Sequence, residues 1–520
     1  MKAPSIFNDV IGPVMRGPSS SHSAASVRIG HIARALMSDE IEDVLVEFDE
    51  AGSLPTTHES QGSDMGLCGG LLGFATSDER LLNYKHELQH AGIKIRYVSG
   101  NYGDPHPNTY RLTLKNSSET HSMIAVSTGG GMIKVCEIDG HAVSIGGDLN
   151  ETLVYFNDDE QPVIAEIENA ISNAAPSVKK GGTKNFIHLQ THAPLSAEKL
   201  ASLQAVKNVI AVKSIFPVLP VPSPPKTAIP FSSCHEMLAY NRKKSMSLGE
   251  LAVQYESGRG AISPDEVYRK MIDIVGVIRK SIRQGLKGTS YTDRILGCQS
   301  RRFKQCLQSG SLLEAGLMNR AILYVTSLME VKSSLGIIVA APTAGSCGAL
   351  PGTILAAAEA VDCSERDTAA ALLAAGVIGV FIADSATFAA EVGGCQAECG
   401  SGSGMAAAAL VQLMGGSAET AVAAASMALQ NSFGMVCDPV ANRVEVPCLG
   451  KNVMAAANAI ACANMAMAGF DPVIPFDEVV AAMNDVGQTI PSELRCTALG
   501  GLSVTKTSQK IKEKLDKILP

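Results

Sequence analysis

The chain has 520 residues, 46% of them apolar, and a formal net charge of −8. So apolar a composition argues against intrinsic disorder, and an acidic balance with no long basic run argues against a nucleic-acid partner. Its 13 cysteines, an odd number scattered over a large chain, do not suit a small secreted disulfide scaffold; they fit a cytoplasmic protein whose thiols are free for metal.

The first residues, Met-Lys-Ala-Pro-Ser-Ile-Phe-Asn-Asp, contain no apolar core of signal-peptide length. The nearest approach to a membrane span is 368–383, which ends at Asp384. A bilayer needs ~20 apolar residues, so a buried helix and no membrane partner are expected. In chain order, residues 1–148 alternate β-like runs (44–48, 93–98, 109–114, 123–127 and 132–138) with helical stretches such as 25–37. This predicts an α+β domain.

Residues 150–220 predict a compact module. Strands are expected at 152–156, 177–180, 186–191 and 209–216, and helices at 162–172 and 196–206, the second opened by Ser196 with Glu198 in its first turn. The order βαββαβ is the ferredoxin-like unit. Prolines then crowd 218–230, and a linker is placed at 221–230. From 231 to 510 the pattern is almost purely helical, with Ala-rich segments (352–361, 369–388, 405–413, 421–429 and 454–468) too apolar for surface helices. Residues 511–520 are a tail, and the Lys-rich stretch 505–519 reads as a solvated helix.

Several loops carry candidate chemistry. Arg16-Gly-Pro-Ser19-Ser20-Ser21-His22 precedes a helical run, so its hydroxyls and amides can cradle an anion; the plainer reading is a Ser-rich cap. The stretch from Gly52-Ser53 to Gly62-Ser63-Asp64 offers His58, Glu59 and Asp64 for proton transfer, or simply caps a helix. His106-Pro107-Asn108 and Gly129 to Gly131 are weaker signals. Pro342-Thr343-Ala-Gly345-Ser346-Cys347 is a small-residue loop able to hold a carboxylate.

Cys395, Cys437 and Cys448 each lie in a Gly- or Pro-punctuated segment with polar neighbours. Three thiolates would leave one iron of a four-iron cluster without a protein ligand, an open Lewis acid. The close Cys pairs of zinc sites and the compact runs of ferredoxins are absent, and electron transfer remains an alternative. Cys399, four residues after Cys395, is either a further ligand or a buried spare thiol.

Together these motifs resemble the iron–sulfur-dependent L-serine dehydratases (L-serine ammonia-lyases), over nearly the whole chain. The Ser19-Ser20-Ser21-His22 loop, Gly52-Ser53 to Asp64, His106-Pro107-Asn108 and Gly129 to Gly131 are similar to the family's β domain. Pro342-Thr-Ala-Gly-Ser, Gly393-Gly-Cys395-Gln, Cys437-Asp-Pro, Val446-Pro-Cys448 and Leu499-Gly-Gly-Leu are similar to its α domain. The middle module resembles an ACT regulatory domain. The resemblance implies a fused chain whose all-α domain is catalytic, with Cys395, Cys437 and Cys448 holding a 4Fe–4S cluster. It implies β-elimination of water from L-serine to pyruvate and ammonia, as in amino-acid degradation and gluconeogenesis. It also implies substrate contacts from Ser19, Ser20, Ser21, Asn108, Thr343, Gly345, Ser346 and Lys451, with His58 or His22 as base. A homodimer or higher homo-oligomer is expected.

The chain departs from the family pattern in four places. Ser60-Gln61 stands where many members have Gly-His, and glutamine takes no proton. The C-terminal cysteine that plugs the open iron in some members is missing from the ending Lys-Ile-Leu-Pro. Gly450-Lys451 replaces a common Glu-Arg pair. The ACT-like turn Asp159-Glu-Gln-Pro162-Val163 lacks the usual glycine, leaving effector binding or a dimerising role open. Alternatives are the same chemistry on threonine, cysteine or a 3-hydroxy acid, and a non-catalytic iron–sulfur amino-acid sensor.

Overall fold

The structure, a computed structural model, describes residues 3–157, 160–170, 176–224, 227–292 and 294–517. The turn residue Asp159, the end of the 162–172 helix, part of the Pro-rich linker and Ile518 to Pro520 lie outside them. The chain is multidomain, with a mixed α/β N-terminal region and a helical C-terminal region.

After a short strand β1 (Val14–Arg16), the N-terminal region builds a six-stranded sheet. Its strands are β2 (Asp43–Asp49), β3 (Lys94–Gly100), β4 (Thr109–Lys115), β5 (Thr120–Gly129), β6 (Met132–Ile138) and β7 (His141–Ile145), in spatial order β3-β2-β4-β5-β6-β7. Only β2 and β3 pair in parallel. Val44, Val46 and Phe48 alternate along β2 and meet Leu112 and Leu114 in one core, as a sheet with one covered face requires. The helices Ala25–Ala35 and Ser63–Leu71 cover that face. They approach so closely that a Cβ on Gly30 would lie 2.6 Å from the Leu67 carbonyl.

The middle segment forms a separate antiparallel sheet from β8 (Asn150–Phe156), β9 (Ser177–Lys179), β10 (Phe186–Thr191) and β11 (Val209–Ile215), ordered β11-β8-β10-β9. Val154, Phe156, Ile187 and Leu189 pack under its helices Gln161–Ala170 and Ala197–Ala205. Leu153, Tyr155, Phe186 and Ile215 point the other way, into the core of the six-stranded sheet. Every residue of β8 is therefore buried, because both faces of this sheet are covered. Polar ties reinforce the junction: Tyr155 donates to Asp139 Oδ2 at 2.9 Å and Lys213 to Glu119 Oε2 at 2.8 Å.

In the helical region the apolar helix Glu365–Ser385 is central and mostly buried, packed by Leu248–Gly260, Pro264–Lys287 and Ser401–Leu413. Its glycines admit the N-terminal turn Ile6–Val10: a Cβ on Gly376 would meet Ile6 at 2.5 Å, and one on Gly379 would meet Val10 at 2.1 Å. One strand, β12 (Ile337–Val339), interrupts the helices and pairs antiparallel with β1. Its partner lies more than 300 residues away in sequence, so local periodicity shows only a loop there. The first residues of the chain thus lock the N-terminal region onto the helical one, and the loops following β1 and β12 face each other.

Candidate metal centre and active site

The loop after β1 becomes a tight π-helical turn, Ser20–Ala24, with His22 fully buried at its centre. Ser19 Oγ and Ser21 Oγ lie 3.0 and 3.1 Å from His22 Nδ1, and Thr57 Oγ1 lies 2.9 Å from Nε2. Burial drives the His22 pKa down to about 4, so its ring is neutral at pH 7. Ser21 also donates to Glu391 Oε1 at 2.9 Å. Ser20 Oγ accepts from the Ala344 amide at 3.1 Å, which stitches this turn to the loop after β12.

That second loop is a capping turn: Thr343 and Ser346 exchange side-chain and backbone hydrogen bonds. Thr343 Oγ1 donates to Glu398 Oε1 at 2.5 Å. A Cβ on Gly345 would stand 2.6 Å from the Glu398 carboxylate, so any larger residue there would displace that carboxylate. Asn452 fixes the loop from behind, donating to the Gly345 and Cys448 carbonyls (2.8 and 2.9 Å) and accepting from the Gly348 and Ala349 amides.

Glu398 sits beside the cysteines. One of its oxygens and the sulfurs of Cys395 and Cys437 all lie within 4.8 Å of one another. Cys448 is buried at the first residue of Cys448–Met467, outside that tight group but close enough to feel the charges of Cys395 and Glu398. Cys399 hydrogen-bonds to Cys395, and Cys496 to Cys437. Cys395 is held well below the usual thiol range, first because Cys399 and then Cys437 donate to its sulfur. Cys437 is raised by its bond to Cys395, and burial raises Cys448. Burial, and then the Cys395 charge, push Glu398 up to about 8. The tight group joins two sulfurs and one carboxylate oxygen and has no histidine in it, with the Cys448 and Cys399 thiols nearby. Such a set fits an iron–sulfur cluster.

The Cys437–Cys448 loop is locked in place. Asn442 donates to the Thr56 carbonyl at 3.0 Å and Arg443 to the Ser60 carbonyl at 3.3 Å, which joins it to the His58 stretch. Asp438 accepts from the Leu502 amide at 2.9 Å, and a Cβ on Gly501 (φ +59°) would lie 2.6 Å from its carboxylate. Lys451 spends its ammonium on the Val436 carbonyl at 2.6 Å and on Asp438 at 3.0 Å.

His58 lies on the rim. Its Nδ1 is 2.7 Å from Asp64 Oδ1, its ring stacks on Tyr97 at 5.1 Å, and Nε2 has no hydrogen-bond partner among the described residues. It lines a cavity of about 880 Å³ between the two regions, together with Tyr84, Asn442 and Arg443. Asn108 is fully buried; Ser53 donates to its oxygen, while its Nδ2 has no partner among the described residues. Gln61 is buried and donates to Cys496 Sγ at 3.8 Å.

Residues 237–503 match the model of the serine dehydratase alpha chain family. The chain belongs to that family. It is 35% identical over 285 residues to the probable L-serine dehydratase alpha chain of Bacillus subtilis, covering 55% of this chain and 95% of that one. It is also 33% identical over 222 residues to the probable beta chain of the same organism, covering 41% of this chain and 99% of that one. Against L-serine dehydratase 1 of Escherichia coli it is 30% identical over 282 residues, 53% of this chain and 62% of the other. One polypeptide here thus carries counterparts of chains that are separate in Bacillus subtilis.

Glu391, Glu398, Thr57 and Cys496 escape a reading of the sequence. Glu391 and Glu398 leave a faint trace there, as acids inside otherwise small and apolar runs. The others reach the site through contacts between distant segments.

Proposed function

We propose that the chain is an L-serine dehydratase, a lyase that eliminates water from L-serine to leave pyruvate and ammonia. The observation that carries this reading is the convergence of Cys395, Cys437 and Glu398 on the Thr343–Ser346 turn, which Ser20 joins to the Ser19–His22 loop. A 4Fe–4S cluster held by Cys395, Cys437 and Cys448 would supply a Lewis acid toward the departing hydroxyl.

The chain's own residues do the rest. Hydroxyls and amides of Ser19 to Ser21, with the unpaired Nδ2 of Asn108, bind the substrate carboxylate. Thr343 and Gly345 hold Glu398, which its raised pKa leaves mostly protonated at pH 7 until the arriving substrate ammonium favours the ionised form. His58 is the better of the two bases: Asp64 fixes the proton on Nδ1, and Nε2 is open to take the α-proton. His22, with both ring nitrogens engaged, positions Ser19 and Ser21 instead. Lys451 and Ser346 act in position, Lys451 under the Cys437 loop and Ser346 inside its own turn. Gln61 needs to carry no proton if His58 does.

The middle module is read as ACT-like on its βαββαβ order and antiparallel sheet. Thirteen unpaired cysteines favour a reducing cytoplasm. Exposed Phe470 and Val473 favour a homo-oligomer. The test is anaerobic reconstitution with iron and sulfide, followed by assay with serine, threonine, cysteine and 3-hydroxypropionate. Pyruvate and ammonia from serine are expected. Turnover of another substrate with none of serine would overturn the assignment, and amino-acid binding without product would point to a sensor.

A further inference from the structure

Lys332 is a buried ammonium with no ion-paired carboxylate among the described residues. It lies in the last turn of the helix Leu317–Ser333 and is fully buried. Its Nζ donates to the Val444 carbonyl, and no carboxylate pairs with it among the described residues. Two other lysines of low exposure differ: Lys213 pairs with Glu119 and Lys451 with Asp438. The N-terminal loop seals Lys332 in: a Cβ on Gly17 would stand 2.0 Å from its carbonyl. Burying an ammonium with one hydrogen bond and no directly paired anion is costly. A chain keeps such a group where an anion completes it.

The surroundings name that anion. The Lys332 charge acts on Cys448, Cys347 and Glu398. Its single acceptor, Val444, lies four residues before Cys448 in the loop that carries two of the proposed ligands. Cys347 is occupied elsewhere, its Sγ against Met329 Sδ at 3.8 Å. Glu398 is turned toward Thr343. An iron–sulfur core with three thiolates carries net negative charge. We propose that Lys332 is the counter-charge of the thiolate-bound cluster at its Cys448 corner, a proposal that rests on the cluster reading above. Lys332 acts through space on the cluster. It is a positioning and charge-balancing residue and touches no reacting atom.

The alternative is that Lys332 is structural and merely ties its helix to the Val444 loop. The two accounts predict opposite effects of Lys332→Met, which keeps the chain length and removes the charge. A counter-charge makes the metal-free variant more heat-stable than metal-free wild type, because a lone buried charge is gone. It also makes the loaded variant lose iron roughly 10- to 100-fold faster to a chelator, as removal of an outer-shell partner does, and lowers the cluster's reduction potential. Lys332→Arg keeps the charge and should retain iron close to the wild-type rate. A tie predicts a less stable metal-free variant, with the potential unchanged.

The experiment compares melting of the metal-free proteins with iron release and redox titration of the loaded ones. Unchanged iron release and potential in Lys332→Met would overturn the proposal. So would normal iron retention with a raised serine KM, which would make the substrate carboxylate the counter-anion. Should Lys332→Met fail to fold, Lys332→Gln, which can still donate to Val444, takes its place in the same measurements. If wild type binds no iron at all, the cluster reading fails and this proposal with it. If wild type loads normally and Lys332→Met behaves identically, only this proposal fails.

Discussion

In the helical region, residues 393–404 hold Cys395 on a run of glycine, alanine and serine whose backbone packs tightly: a Cβ on Gly394 would lie 2.8 Å from the Met435 carbonyl. In the N-terminal region, residues 19–22 are held by side-chain hydrogen bonds around one buried imidazole. The first construction is rigid because nothing larger fits. The second is exact only while its partners keep their protonation and donor geometry. The metal half of the site should therefore fail through loss of donors, and the polar half through pH and small displacements.

The sharpest break is Cys437→Ala. It should remove iron and activity together, by about 100-fold or more, with the fold retained by circular dichroism; metal analysis and turnover on the same sample check this. His58→Gln should lower kcat by about 10²- to 10⁴-fold, the usual contribution of a positioned base, while iron content stays at the wild-type level. Iron loss in that variant would blur the separation between the two halves.

Gly345→Ala sharpens the comparison, since a methyl group there meets the Glu398 carboxylate at 2.6 Å. Displacing that carboxylate by about 1 Å should cost about 10²-fold in kcat/KM, with little change in melting temperature. The smallest effect concerns His22. Its folded pKa of about 4 lies below its unfolded value near 6.5. The unfolded chain therefore binds the proton first as pH falls, and stability is lost between about pH 6.5 and pH 4. The loss should be on the order of 3 kcal/mol. Chemical denaturation of wild type and His22→Asn across that range should show the slope shrinking in the variant.

Much of this architecture is legible in the residues. Strand β6 and strand β10 fall where alternation places them, and Ser196 caps its helix as its side chain suggests. What stays hidden depends on partners far away in sequence. β12 is a strand only because β1 lies beside it, and the burial of both faces of β8 depends on the neighbouring six-stranded sheet. In the site, the cysteines announce themselves through their glycine and proline neighbours. Glu391 and Thr57 do not, because nothing local says that an acid or a threonine will face the His22 loop. Lys451 looks like a substrate contact until Asp438 and the Val436 carbonyl are seen to absorb its charge.

The most direct test is Mössbauer spectroscopy of the protein reconstituted anaerobically with ⁵⁷Fe, before and after serine. The account predicts about four irons per chain, one of which changes its signal when serine arrives while the others stay as they were. Zinc in place of iron, no bound iron after reconstitution, or a set of irons wholly indifferent to serine would contradict it.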